Sequence, residues 1–507
     1  MRSTPVGLVM VNDERPHVHG LNEVENMQVL ERWGQAIREE VADAGGRGPE
    51  IVVAPETVKS VRTAQEIGER LRRSGCRSLI LCFNVWDFPF LVWPLVNAVG
   101  RDVPILSLSN NNGRFPGNVG LLATDGALRQ AGVRTHRIVG DVARAETRKA
   151  VGTWIRAAQA VTLIQTEVYG LYGGHSMGME TGFFHLVPTI KALGTTAYQI
   201  DQLWVLERMK EIDAAEVRAG REWLESLLRQ RLLYDGDMLT PERLETQLRL
   251  YLAVRELNDE NGFAYCGIKG QRELTEYVCT ADVAEMLLND PYDWRGPKES
   301  TVCATEADAD GAITMELLKY ISGGLPSLFM DVRLYHPDLD VWDLCNSGQH
   351  ATWYATRSAD PAANFERVTF HPALSLYFKA GGASVEFDAA PGPLTFARLG
   401  IWDDRPYLVI IPGEAVDLPP AQRRALNAQT DPTWPHVHAR LYCSHEEMLQ
   451  IFPCNHIHAT PGDQVGPLVM LAEICGITPV LLGRDRRAAP LWERAAGAGV
   501  GVGVGGR

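Results

Sequence analysis

The sequence predicts an α/β protein with two Rossmann-like, doubly wound α/β domains followed by a β-rich, barrel-like C-terminal domain. Three observations predict it. Short apolar runs alternate with amphipathic stretches through the first third of the chain, the pattern of parallel strands joined by crossover helices. Long helical stretches and further apolar runs continue to about Gly324. Beyond Leu334 the period changes to short alternating runs broken by turn signals.

The elements follow in order. Strands are expected at residues 6–11, 51–54, 78–83, 103–107 and 136–139, with helices such as 23–42 and 142–158 between and after them. Val11-Asn12-Asp13-Glu14-Arg15 stands where a phosphate-cradling glycine fingerprint would follow the first strand, so no dinucleotide site is expected. A second α/β domain is expected to open with a strand at 161–164 and to hold helices at 214–229, 241–260 and 309–320. Strands at 384–387, 394–399 and 407–412 belong to the third. The resulting division is 1–160, 161–325 and 326–496, with a Gly/Val-rich tail at 497–507 expected to be disordered.

Composition narrows the function classes. A chain of 507 residues with net charge −14 and pI near 5.5 shows no basic stripe for nucleic acid. The first eleven residues read as a strand rather than a signal peptide. No apolar stretch approaches the roughly 20 residues that a membrane span needs. The nine cysteines, Cys82, Cys266, Cys303 and Cys454 among them, lack zinc-ribbon spacing and read as reduced core thiols. A cytoplasmic enzyme is the expectation.

The chemistry concentrates in three segments. Val302-Cys303-Ala304-Thr305-Glu306 and Phe329-Met330-Asp331-Val332-Arg333 each end or centre a short apolar run on a carboxylate, and Cys454-Asn455-His456 adds an imidazole. Both acids are expected at strand tips facing a cleft. Two oxygen donors and one nitrogen donor suit Mn²⁺ or Mg²⁺ better than a thiolate-loving metal, and they leave coordination positions open for a substrate's oxygens. Cys454, two residues before His456, reads as a small buried residue more readily than as a soft ligand.

In order along the chain, GGHSMG at Gly173 to Gly178, KGQR at Lys269 to Arg272, Ala284 to Asn289, Tyr292-Asp293-Trp294, ATE at Ala304 to Glu306, DVR at Asp331 to Arg333, NSG at Asn346 to Gly348, TWP at Thr433 to Pro435 and the Asn455-His456 pair resemble L-fucose isomerase. The likeness runs from the first strand to about Leu482. It implies a metal-dependent aldose–ketose isomerase, related to L-arabinose isomerase, working through a metal-stabilised cis-enediolate. The resemblance makes Glu306, Asp331 and His456 the metal ligands, with Mn²⁺ as cofactor and Mg²⁺ or Co²⁺ as substitutes. Glu306 and Asp331 become the candidates for proton transfer. Gln271, Arg272, Ser347 and Asn455 are implied to bind sugar hydroxyls. Trp86 resembles a family aromatic that closes a neighbouring subunit's site, which implies a homo-hexamer with shared sites.

Departures from the family pattern bear on the substrate. The chain is shorter than the family's usual length, chiefly between NSG and Phe370-His371-Pro372, and Gly462-Asp463 replaces a Gly-His pair. His175, Lys269, His350, His436 and His438 stand beside site motifs where the fucose enzymes carry neutral residues. Charge-assisted hydrogen bonds from Lys, Arg or protonated His are how proteins hold sulfonate or phosphate, so a C6-anionic hexose such as sulfoquinovose, isomerised to sulfofructose, is expected. His350, His436, His438 and His458 are not expected as metal ligands, because one cation with sugar oxygens needs no further imidazole. The alternatives are an L-fucose, D-arabinose or L-arabinose isomerase, told apart by which sugar turns over. A non-catalytic sugar-binding protein is the alternative of another class, and intact Glu306, Asp331 and His456 speak against it.

Overall fold

The computed structural model describes residues 2–43, 46–111, 115–175, 178–347 and 350–483. The expected tail at 497–507 lies outside them, as do Ser176, Met177, Gly348 and Gln349. The chain divides into two compact units, residues 1–166 with 466–476, and residues 167–465 with the remaining C-terminal segment.

The first unit is a five-stranded, all-parallel sheet. Strands β1 (Val6–Val11), β2 (Ile51–Val53), β3 (Ser78–Phe83), β4 (Ile105–Ser109) and β5 (Thr135–Val139) pair in the order β2-β1-β3-β4-β5. Successive side chains of a strand point to opposite faces, and both faces here are apolar. Val9, Val11, Leu79, Leu81 and Phe83 pack under the helices Val61–Arg73 and Val92–Val99. Leu8, Met10, Ile80 and Cys82 pack on the other side with Trp33 and Trp154 from the helices Pro16–Val41 and Ala145–Ile164. Such two-sided burial is what a parallel sheet requires. The helix Val465–Cys475 returns to this second face, where Met470 and Ile474 pack against the same core.

One expected strand is absent. Residues 161–164 form the last turn of the helix Ala145–Ile164, all four buried, and the strand begins later at Val168. A four-residue apolar run carries too little periodicity to separate a buried helix turn from a strand.

The second unit holds two larger sheets. Strands β6 (Val168–Tyr172), β7 (Thr196–Ile200) and β8 (Tyr265–Ile268) join, after the small hairpin β9 (Tyr292–Asp293) and β10 (Gly296–Pro297), with β11 (Cys303–Thr305) in a parallel sheet of order β11-β8-β6-β7.

Next come β12 (Leu328–His336) and β13 (Val341–Cys345), a separate hairpin β14 (Thr369–Pro372) and β15 (Ala383–Glu386), then β16 (Gly392–Trp402), β17 (Arg405–Ala415), β18 (His436–Leu441), β19 (His456–Pro461) and β20 (Thr478–Leu481). The antiparallel order β16-β19-β12-β13-β18-β17 closes on itself because β16 also pairs with β17, and β20 adds to β17 in parallel. Closure removes the unpaired edges of an open sheet. Met330, Leu344, Val437, Ile457, Phe396 and Ile411 belong to one buried core, so the alternate residues of these strands face outward. The helix Ala309–Ile321 packs against that outer face at β16 and β19. Among the described residues no helix is long and apolar enough to cross a membrane, and all nine cysteines are free.

Candidate functional site

The outward face of the barrel carries the polar chemistry. Residues paired directly across antiparallel strands project to the same side. Asp331 on β12 pairs with His456 on β19 and with Cys345 on β13, and Cys345 pairs in turn with His436 on β18. One row across four strands therefore reads His456, Asp331, Cys345, His436. Asp331 lies within its nine-residue strand rather than at a strand tip, which corrects the expectation from its sequence context.

Glu306 arrives from the parallel sheet. It follows β11 directly, and both it and Ala307 take a left-handed φ of 55°. That conformation is uncommon for residues with a Cβ, and strained backbone of this kind persists only where its surroundings enforce it.

The three expected ligands meet. His456 Nε2 stands 3.3 Å from Asp331 Oδ1 and 3.5 Å from Glu306 Oε2. His456 is 2 % exposed, while the Asp331 and Glu306 side chains keep 16 % and 21 % of their surface open. Asn346 Nδ2 donates to Asp331 Oδ2 at 3.0 Å and Asn455 Nδ2 donates to Asp331 Oδ1 at 3.2 Å, so both oxygens of that carboxylate are anchored. Asn455, expected to bind sugar, here holds the Asp331 carboxylate.

A residue that the sequence reading passed over completes the centre. Asp308 caps the helix Ala309–Ile321 by accepting from Gly311 N, and its Oδ2 meets His456 Nδ1 at 2.7 Å. Arg398 on β16, fully buried, donates to both oxygens of Asp308 at 2.5 and 3.0 Å. Burial would raise the Asp308 carboxyl, but Arg398 and His456 together hold it well below the usual carboxylate range. Burial likewise would lower His456, yet its hydrogen bonds to Asp308 and Glu306 lift it to about 10. For Asp331 burial prevails over the attraction of His456 and raises its pKa.

This donor set fits a divalent cation. Three carboxylates face one guanidinium and one imidazole, so the cluster carries one uncompensated negative charge with His456 protonated and two once a cation displaces that proton. An Asp clamping the far nitrogen of an imidazole fixes its tautomer and leaves Nε2 free to bind metal.

The remaining expected residues fall into separate neighbourhoods. Ile268 on β8 pairs with Thr305 on β11, so Lys269 leaves the sheet beside Glu306. Lys269, Gln271, Arg272 and Lys379 line a cavity of about 840 Å³, in which Lys269 Nζ pairs with Glu273 at 2.9 Å. His175, exposed, packs its ring 4.3 Å from Phe183. Ser347 is half-buried, its backbone N–H held by Asn346 Oδ1 at 2.6 Å. Trp86 lies in the first unit, half-buried and edge-on to Phe88 at 6.0 Å.

The expected histidine donors of an anion site are enclosed instead. His350 is 1 % exposed, beside Phe387, and burial with the nearby His436 pushes its pKa to about 3. His438 is lowered by burial, so neither ring carries a positive charge at neutral pH. His436 is raised despite its burial by Asp343, whose Oδ1 lies 2.8 Å from its Nδ1, so that ring is engaged with a carboxylate rather than open to an anion. His458 accepts from Arg398 Nη1 at 3.0 Å. Cys454 Sγ contacts Thr181 Oγ1 and Asn455 Oδ1, both at 3.3 Å.

Comparison with known proteins gives a consistent answer. Three family models match in chain order: L-fucose isomerase, first N-terminal domain, at residues 3–166, the second N-terminal domain at 246–323, and the C-terminal domain at 344–481. An L-fucose isomerase of Phocaeicola vulgatus is 25% identical over 502 residues, covering 82% of this chain and 81% of that protein. One from Streptococcus pneumoniae is 25% identical over 490 residues, covering 84% and 82%.

Proposed function

The chain belongs to the L-fucose isomerase family and is an aldose–ketose isomerase, and we propose that it works with Mn²⁺ held by Glu306, Asp331 and His456 on a hexose bearing an anionic group at C6, converting sulfoquinovose to sulfofructose. The observation that carries the metal reading is His456 Nε2 facing both carboxylates while Asp308 clamps the opposite ring nitrogen. When bound, the cation polarises the sugar's carbonyl and neighbouring hydroxyl oxygens.

The protein's own groups divide the remaining work. Asp331, anchored at both oxygens by amides, keeps a fixed orientation. Glu306 is the more exposed of the two acids, on the strained turn after β11, and is the group we assign to carry the proton between C1 and C2 through the cis-enediol. Gln271, Arg272 and Ser347 bind sugar hydroxyls. Trp86 of a neighbouring subunit closes the site in a homo-hexamer that operates in the cytoplasm.

The anionic subsite rests on Lys269, Arg272 and Lys379, which line one cavity together with Glu273 and Glu276; the His175 pKa is lowered by desolvation and by His185, so that ring is left out. His350 and His438 are buried and uncharged, so they are left out of it. The second reading, an isomerase of L-fucose, D-arabinose or L-arabinose, is favoured for L-fucose by the names of the relatives, and for a neutral sugar by the Lys269–Glu273 and Arg272–Glu276 pairs, which leave Lys379 as the cavity cation without a carboxylate partner among the described residues.

One panel separates them. Enzyme stripped with a chelator and reloaded with Mn²⁺, Mg²⁺, Co²⁺ or Zn²⁺ is assayed on sulfoquinovose, L-fucose, D-arabinose and L-arabinose. We expect activity to vanish on stripping, to return best with Mn²⁺, and kcat/KM to be at least roughly 10²-fold higher for the sulfonated sugar, equivalent to about 2.7 kcal/mol of transition-state preference. Faster turnover of a neutral sugar selects the second reading, and full activity without metal removes both. Light scattering tests the shared site, since a fully active single chain of 56.0 kDa would contradict it.

A further inference from the structure

The same barrel wall carries a second cluster that isomerisation does not use. Asp343 on β13 lies directly opposite His438 on β18, and Cys345 opposite His436, so Asp343, His436 and His438 share one face. All three are buried, at 0 %, 0 % and 4 % exposure. One donor atom from each lies within 4.8 Å of those of the other two. A tetrahedral Zn²⁺ ion with bonds of about 2.0–2.2 Å sets its donors roughly 3.3–3.6 Å apart, so side-chain shifts of about an ångström bring all three onto one ion.

Hydrogen bonds orient the His436 ring for that task. His436 Nε2 faces the Asp431 carbonyl at 2.7 Å, which fixes the Nε2–H and turns Nδ1 toward Asp343 Oδ1 at 2.8 Å. A bare ring nitrogen and a carboxylate oxygen are both acceptors, so a proton or a cation must lie between them. A proton explains that pair alone. It leaves His438 Nε2, deep in the barrel wall, without a hydrogen-bond partner, whereas a shared cation accounts for both rings. Thr430 Oγ1 donates to the other oxygen of Asp343 at 2.7 Å, the kind of outer contact that ligating carboxylates have.

We infer that Asp343, His436 and His438 bind a second metal ion, Zn²⁺, which cross-links β13 to β18. Two imidazoles and one carboxylate in a closed place suit Zn²⁺, whereas one imidazole and two partly open carboxylates suit Mn²⁺. The ion is structural. It sits beside the strand that carries Asp331 and takes no part in the sugar chemistry.

The test reads metal content, not isomerase activity, so it stands or falls apart from the reading above. The full-length double variant Glu306→Gln, Asp331→Asn removes the carboxylate donors of the first centre. Loaded with Co²⁺ and desalted, it is expected to retain one Co²⁺ per chain with the visible spectrum of a four-coordinate ion. Loaded with Zn²⁺, its X-ray absorption fine structure is expected to require two imidazoles per metal. Adding His438→Gln, with folding checked by circular dichroism, is expected to abolish retention. Absence of bound Co²⁺ in the double variant, a fit with a single imidazole, or undiminished retention after His438→Gln would show that a proton joins His436 to Asp343 and overturn the inference. If the His438 variant does not fold, the absorption data on the double variant decide.

Discussion

Two clusters of histidine and carboxylate stand on one wall of one barrel, and their surroundings differ. In the first, Glu306 and Asp331 keep 21 % and 16 % of their side-chain surface open around a buried His456. In the second, the Asp343 and His436 side chains are at 0 % and that of His438 at 3 %. The first is fed by a loop from a parallel sheet and braced from behind by Asp308 and Arg398, with one side left open. The second draws its side chains from two adjacent strands and is closed on every side. On the reading proposed above, the same residue types serve exchange with a small molecule in one place and cohesion in the other, and access decides which.

Four substitutions probe that contrast. Glu306→Gln, which keeps shape and removes charge, is expected to lower kcat by roughly 10²–10⁴-fold, the scale of a lost general base, with little change in unfolding temperature. Stopped assays with Mn²⁺-saturated enzyme measure it, and a loss under tenfold would deny Glu306 the proton-transfer role. Asp343→Asn should do the reverse. Breaking a buried pair leaves a charge uncompensated and costs about 3–5 kcal/mol of stability, read from denaturant midpoints. An unaltered midpoint would mean that the sealed cluster contributes no cohesion.

Asp308→Asn tests the brace behind the open cluster. Loss of a carboxylate that orients a ligating imidazole typically weakens metal affinity 10–100-fold, so titration calorimetry with Mn²⁺ should show a shift of that size. Arg398 would also lose its counter-charge, so the measurement belongs well below the variant's own melting point. The smallest effect is expected from Lys269→Ala. It should lower the ratio of kcat/KM for a C6-sulfonated over a neutral sugar by about tenfold, near 1.4 kcal/mol, and an unchanged ratio would place the anion elsewhere.

Much of this centre was legible in the chain. Glu306, Asp331 and His456 stand in short motifs in family order, and the structure brings their side chains within 3.5 Å of one imidazole nitrogen. The brace was hidden for physical reasons. Asp308 looks like an ordinary helix cap, and it is one, while its second contact spans 148 residues. Arg398 sits in an alternating strand where an outward charge reads as solvated, and the helix Ala309–Ile321 and the segment at Thr181 bury it. His350 and His438 misled in the opposite sense, because a basic residue beside a motif says nothing about its depth. The parallel sheet of the first unit was clear from its two-sided apolar strands, whereas residues 161–164 were assigned to a strand because their apolar run is too short to show a period.

The helix Val465–Cys475 has a consequence for the order in which the protein is made. Met470 and Ile474 pack on the face that also holds Trp154 and Ile155, and Glu473 reaches His136 at 3.2 Å. A nascent chain that has just released residue 166 has made every strand of its first sheet but not this covering helix, which is synthesised only after nearly all of the second unit. Until then that sheet waits with a patch of apolar surface uncovered, a hazard that chaperones exist to manage. A shortened chain ending at Pro461 would carry the same uncovered patch permanently, although Glu306, Asp331 and His456 would all still be present.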